Sequence, residues 1–180
     1  MSKTSIKEDV KLSKKLDENT KLIKELFVDV DIMVSRPFEN VHDARVKYCI
    51  FYSDGVVDSQ LINDSIIKPL AIMDKIKKDD ELFDNVMNSF VLVNEIAESS
   101  DMDEIIDAIC YGDTVLLIDG FDKAIIVNSK NFFIRSVAEP EGERVLYGPR
   151  EGFVENLMMN LSMLRRKLRT NELKVKFQST

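Results

Sequence analysis

The sequence predicts an α/β domain: a mixed β-sheet packed with helices, opened by an N-terminal helix and closed by an amphipathic helix with a basic end. Three observations point there. Apolar residues recur at helical spacing near both ends of the chain and at strand spacing in between. Short apolar runs such as VLLI (Val115–Ile118) are bounded by turn residues, as buried strands are. Helical and strand patterns then alternate along the chain, the pattern of helices packed on a sheet. A length of 180 residues at 44% hydrophobic is enough to build a core.

Taken in order, Val10, Leu12, Leu16, Leu22, Ile23, Leu26 and Phe27 form one stripe of a helix over residues 7–27. Val28, Val30, Ile32 and Val34 alternate with Asp29, Asp31 and Met33, so a strand follows, ended by Arg36-Pro37. ARVKYCIFY (Ala44–Tyr52) reads as a central strand. Ser53-Asp54-Gly55 is a turn, and Asp58 is the N-cap of a helix through Leu70, kinked or broken at Pro69. A short helix over residues 79–86 and a short strand at Ser89–Val93 come next. Ser99-Ser100-Asp101 opens a helix with Ile105, Ile106 and Ile109 on one face, closed by Gly112. TVLLID and KAIIVN form a hairpin around Gly120, and Asn131–Val137 is a further strand. The polar loop AEPEGER precedes the closing helix, and LKVKF (Leu173–Phe177) is a last strand or the start of a linker. The chain therefore divides into an N-terminal helical segment (1–27), an α/β portion (28–145) and a closing helix with its strand or linker (146–180).

Charge and motif content narrow the function. A net charge of −7 and a pI near 4.9 argue against nucleic acid as a partner. Cys49 and Cys110 sit in apolar stretches and read as small buried hydrophobes in a reducing compartment. With His42 the only histidine, no zinc spacing exists. Neither glycine-rich phosphate loop nor a nucleophile elbow occurs, so no cofactor and no enzymatic activity are expected. Asp54 and Asp58 are explained as turn and cap residues rather than paired catalytic acids, Asp119 as a hairpin residue, and His42 as a loop residue. The N-terminus lacks the apolar segment of a signal peptide, and no apolar run is long enough to span a bilayer.

The stretch YGPREGFVENLMMNLSMLRRKLRT (Tyr147–Thr170) carries the most information. Gly148-Pro149 is a turn with proline suited to the first helical position. Glu151 and Glu155 sit near the helix start and Arg165, Arg166, Lys167 and Arg169 at its end, where the helix dipole favours each sign. Phe153, Leu157, Leu161, Leu164 and Leu168 form a stripe expected to face the core. The four bases exceed what the dipole requires. They call for acids elsewhere in the chain, an acidic partner or an anionic membrane surface. Arg150 on its stiff turn would suit an anion, although the neighbouring glutamates oppose one.

Four segments together resemble one family, the A subunits of the nutrient germination receptors of bacterial endospores. They are DGVVDSQLINDSIIKPL (Asp54–Leu70), GDTVLLIDG (Gly112–Gly120), RSVAEPEGERVLYGPREGFVENL (Arg135–Leu157) and NLSMLRRKLRTNELKV (Asn160–Val175). The first fifty or so residues match weakly, and Tyr147 stands where a basic residue is common. The resemblance implies a large soluble N-terminal region followed by membrane-spanning helices in the parent protein. It also implies assembly with B and C subunits and with other A subunits in the spore inner membrane, this domain lying on the cytoplasmic, spore-core side. On that reading the chain is the first part of the soluble region, and nutrient triggers ion release through the receptor.

The motif positions carried over are Asp54, Gly55, Asp58, Glu139, Pro140, Gly148, Pro149, Arg150, Glu151, Gly152, Phe153, Asn160, Arg165, Arg166 and Arg169. Gly148, Pro149 and Gly152 are read as shaping the backbone. Glu139, Arg150, Glu151 and the arginine cluster are read as ionic or polar contacts within the domain or between subunits, and Asn160 as a hydrogen-bonding partner of a neighbouring loop or subunit. Two functions remain open: a receptor-subunit domain acting by assembly and signal transmission, or a small-molecule module that itself holds the germinant. On the first, reversing Arg165 and Arg166 to Glu is expected to impair assembly while the isolated domain still folds.

Overall fold

The computed structural model describes residues 11–74, 81–91, 93, 95–131 and 153–178. In chain order these form α1 (Leu16–Leu26), β1 (Met33–Glu39), β2 (Lys47–Ser53), α2 (Ser59–Ile62), a π-helical turn (Asn63–Ile67) and α3 (Lys68–Ile72). Then come α4 (Leu82–Asn85), a second π-helical turn (Val86–Phe90), β3 (Ile96–Ser99), α5 (Met102–Tyr111), β4 (Thr114–Ile118), β5 (Ala124–Val127) and α6 (Leu157–Lys167). The five strands make one sheet in the order β1-β2-β4-β5-β3, and every pairing within it is antiparallel. Among the described residues a parallel contact exists only as the isolated Val30–Val175 bridge.

Both faces of the sheet are covered, which is why its central strands read as unbroken apolar runs. Cys49, Phe51, Val115, Leu117 and Ala124 face α1 and α5, meeting Leu16, Ile23, Ile105 and Ile109. Tyr48, Ile50, Leu116, Ile118, Ile125 and Val127 face the other way, onto Ile62, Ile66, Leu70, Phe83 and Val86. The α/β architecture expected from the pattern is therefore present, with the hairpin β4–β5 at its centre.

Several boundaries differ from the sequence expectation, each for a physical reason. The first helix begins at Leu16, and Lys11–Lys15 lead into it without helical backbone. There the Asn19 side chain folds back, accepting from Ser13 N (2.8 Å) and donating to Ser13 O (2.6 Å). Leu16 N, an orphan donor of the first turn, is met by Asp119 Oδ1 (3.3 Å) across the fold. The strand expected over residues 28–34 starts instead at Met33, because the chain turns at Asp29, which has φ 65°.

That strand also runs through Pro37 rather than stopping at it. Asp54 N donates to Ile32 O (2.7 Å), and in this register the even-numbered residues of β1 bond β2. Pro37 thus points its missing donor outward on an edge strand, where no ladder bond is lost. Pro69 does not end the helix, which runs on through Ile72. The π-helical turn just before it absorbs the disrupted bonding.

Ser89–Val93 is not a strand: its first residues close the second π-helical turn, and the strand lies at Ile96–Ser99. A short apolar run does not by itself distinguish a buried strand from a buried helix. The strand expected at Asn131–Val137 lies outside the described residues apart from Asn131. The final LKVKF segment contributes one bridging residue, Val175, and no regular strand.

The Asp58 cap is present as read from the sequence, with its carboxylate accepting from Gln60 N and Leu61 N, both at 3.0 Å. Replacing Asp58 by Ala is expected to lower unfolding stability by about 1 kcal/mol, with Asn retaining most of the cap. Urea midpoints of the two variants measure this, and an Ala midpoint equal to the parent's would show that the cap contributes nothing.

Candidate functional site

At one end of the sheet β2 finishes, β4 begins and β5 finishes, and three loops meet there. The Asp54-Gly55 turn is held by Gly55 N donating to Asp54 Oδ1 (2.9 Å), with Gly55 at φ 77°. Beside it Gly112 ends α5 at φ 96°, and a Cβ there would approach Val56 O to 3.1 Å. The exit from β5 closes the corner. Asp58 N donates to Ser129 O (2.7 Å), Asn131 N donates to Val56 O (2.9 Å), and the buried Thr114 and Ser129 hydroxyls share a hydrogen bond (2.7 Å).

Helix α6 sits on this corner. A Cβ on Gly55 would lie 2.4 Å from Met158 Cε, so the bare backbone of the turn is the seat for the start of the helix. At the far end, the Arg169 guanidinium lies 3.4 Å from the centre of the Tyr111 ring, and Lys130 Nζ lies 4.7 Å from it. Lys130 also pairs with Asp113, whose carboxyl is raised by burial while Lys130 pulls it the other way. These cations gather where α5 ends, the pole of a helix that favours positive charge.

Arg165 is the unexpected member. It is only 1% exposed, on the side of α6 packed toward α5. Its Nη1 donates to Thr170 O (2.7 Å), its Nη2 to Leu173 O (3.0 Å), and Nη1 lies 4.0 Å from Cys110 Sγ. Nε is buried and unpartnered, and the described residues bring no carboxylate to this side chain. Burial lowers its proton affinity, with the Cys110 sulfur opposing. Burial also pushes the Cys110 thiol up to about 11, which makes it an inert packing group.

This corrects the expected orientation of the helix. Ser162 and Arg165 are its buried residues, whereas Leu157 is 58% and Leu168 47% exposed, and Phe153, at 69%, lies before the helix begins. Only Leu161 of the expected stripe packs against the α1–α5 core. Glu155 also precedes the helix, whose N-cap is Asn156, accepting from Met159 N (3.1 Å). The basic end is therefore as expected, while Glu155 lies just ahead of the first turn rather than within it and Glu151 is outside the described residues. Asn160 bonds the loop that precedes its helix, in keeping with its expected role. It clasps the lead-in, accepting from Val154 N (2.7 Å) and donating to Val154 O (2.6 Å).

Of the motif residues, the structure brings Gly55, Arg165 and Arg169 together through α6, with Asp54 and Asp58 in the adjoining loop. Arg166 is half-buried. Glu139, Pro140, Gly148, Pro149, Arg150, Glu151 and Gly152 lie outside the described residues. The expectation that an Arg165→Glu change would leave folding intact does not hold. A carboxylate there would face two carbonyl oxygens in the interior with no donor. Sequence reasoning also missed Tyr111, Lys130 and Met158. Tyr111 beside the helix-ending Gly112 was the available signal, since a ring at a helix end near several bases is a natural cation partner.

The class this architecture defines is an α/β module, a five-stranded antiparallel sheet covered by helices on both faces; no helix among the described residues is long and apolar enough to cross a bilayer. The chain belongs to the Bacillus/Clostridium GerA spore germination protein family, whose profile matches residues 21–180. It is 31% identical over 133 residues to spore germination protein GerLA of Bacillus cereus, covering 74% of this chain and 26% of that protein. Identity to spore germination protein KA of Bacillus subtilis is 26% over 150 residues, covering 83% of this chain and 27% of that one. An uncharacterized membrane protein of Bacillus subtilis, YfkQ, is 32% identical over 128 residues, 70% of this chain and 24% of its own. The chain thus spans about a quarter of the length of these curated relatives. Its fold matches the N-terminal domain of the A subunit of the Bacillus megaterium spore germinant receptor GerK3 with a TM-score of 0.69 at 22% identity. That match covers 92% of this chain and 59% of the solved one.

Gly55 offers a direct test of how α6 is seated. Gly55→Ala is expected to lose about 1–2 kcal/mol from its left-handed backbone alone, and more from the contact with Met158. Adding Met158→Ala should return only the contact part, so the double variant will be more stable than the sum of the single losses. Strict additivity in chemical denaturation would place Met158 away from the turn.

Proposed function

We propose that this chain is part of the soluble N-terminal region of a germinant receptor A subunit, held at the spore inner membrane on the spore-core side. It serves nutrient-triggered germination without catalysing a reaction. Its work is to dock onto B and C subunits and onto other A subunits, and to pass the nutrient signal between them.

The observation that carries this reading is the exposed side of α6. A surface helix normally buries its leucines and turns its charges to water. Here an arginine is inside, while Leu157, Leu168 and the preceding Phe153 and Val154 stand in solvent. Exposed apolar side chains at both ends of a helix whose last turn is basic suit a docking surface. The basic end also suits an acidic partner face, by charge complementarity. Family membership supplies the process in which such docking takes part.

The test uses Leu157→Ser with Leu168→Ser. Both side chains are about half exposed or more, so the purified domain should stay within about 0.5 kcal/mol of the parent. In spores carrying the change in the whole receptor, germination with nutrient should slow sharply, and co-purification of B and C subunits should fall. Normal germination with intact co-purification would remove α6 as the docking element.

A further inference from the structure

Arg165 is expensive to keep where it is. A guanidinium taken out of water without a carboxylate is tolerated only when other groups meet its donors. Here those groups are two backbone carbonyls, Thr170 O and Leu173 O, from the segment that follows its own helix. The same segment is stitched to the α1–β1 connection. Asn171 Nδ2 donates to Leu26 O (3.0 Å), Val175 N to Asp29 O (3.1 Å), Asp31 N to Val175 O (2.8 Å) and Phe177 N to Asp31 Oδ2 (2.7 Å). Lys176 Nζ pairs with Asp29 Oδ1 at 2.8 Å. Asp29 holds its turn at a positive φ of 65°, a conformation a non-glycine residue keeps only when its surroundings impose it.

These contacts are conditional on one another. If the 170–177 segment leaves, Arg165 is left as an unpaired charge in the interior. If the last turn of α6 leaves, the carbonyls of Thr170 and Leu173 lose their donors. Intermediate arrangements strand polar groups, so the stable ones are both seated or both released.

We infer that the last turn of α6 and the 170–177 segment form a single two-state latch, with Arg165 as its positioning residue. Through Asp29, Asp31 and Val175 the latch couples α6 to the α1–β1 connection. Through Cys110 and the Arg169–Tyr111 contact it couples the same helix to the end of α5. The inference rests on the proposed receptor role only for its use: a latch at this place would let docking on the outer side of α6 move the segment that follows it. The coupling itself is a property of this chain.

Hydrogen exchange on the 180-residue chain, without partners or membrane, tests it. In Arg165→Met, which keeps volume and removes the donors, the amides of Asp31, Leu168, Val175 and Phe177 should lose protection together by about tenfold or more. Amides of Cys49–Phe51 and Val115–Leu117 should keep theirs. Asn171→Ala approaches from the other side and should expose the Leu168 amide as well, since coupling is reciprocal. Should Arg165→Met not fold, Arg165→Lys serves in its place, because an ammonium lacks the fixed fork with which the guanidinium meets the two carbonyls from separate nitrogens.

Three results would overturn the latch: unchanged exchange at Val175, an equal loss across the central strands, or loosening of 170–177 by Asn171→Ala with Leu168 untouched. Failure here leaves the receptor role standing. Failure of the Leu157 and Leu168 changes to affect germination leaves the latch standing.

Discussion

A positive charge sits inside this domain with no acid beside it among the described residues, and the seating of the C-terminal part follows from that. Arg165 can stay buried only while Thr170 and Leu173 offer their carbonyls, so the chain must double back after α6 instead of running on. Doubling back places Val175 beside Val30, the one parallel contact between chain segments in a fold whose sheet pairings are all antiparallel. One unfavourable desolvation thus organises a helix end, a return segment and a turn at the opposite terminus.

The same burial determines what the helix shows to its surroundings. The buried side of α6 is centred on Ser162 and Arg165, with Leu161 beside them, which leaves the leucines at the two ends of the helix at its margin. With the arginine inside and Met158 over Gly55, the apolar side chains at Leu157 and Leu168 go outward. The exposed patch therefore follows from how the helix is anchored, and it lies on an element whose two ends are both fixed. Anchored elements that carry exposed apolar residues are good recognition surfaces, because little entropy is lost in ordering them on contact.

Glycine does two different jobs at the corner that receives α6. Gly55 leaves room for Met158 and adopts a backbone that a side chain would strain, whereas Gly112 ends α5 and lets Val56 O approach. Tyr111 between them turns the end of α5 into a surface for cations, and both Arg169 and Lys130 use it. Motif residues far apart in the sequence, the Asp-Gly turn and the arginine-rich helix end, thereby hold the two ends of one helix. That gives a physical reason for their presence in a single chain, beyond family membership.

Part of the local chemistry was legible in the sequence. The cap at Asp58, the helix start at Ser99-Ser100-Asp101, the left-handed Gly112 and the β4–β5 hairpin each depend on hydrogen bonds closed within a few residues, so residue type and order determine them. The unbroken apolar runs of β2 and β4 likewise announced strands covered on both sides. Family membership was readable too, because its motifs lie in consecutive stretches. What only the tertiary structure decided has partners distant along the chain. Asp119 meets the first turn of α1, the Val86–Phe90 run becomes helical against the sheet, and α6 buries its arginine in place of its leucines. A periodic pattern says that a helix has two sides, but which side goes inward depends on what waits there. Here that was a glycine turn, a tyrosine ring and two carbonyls, and no local pattern records that juxtaposition.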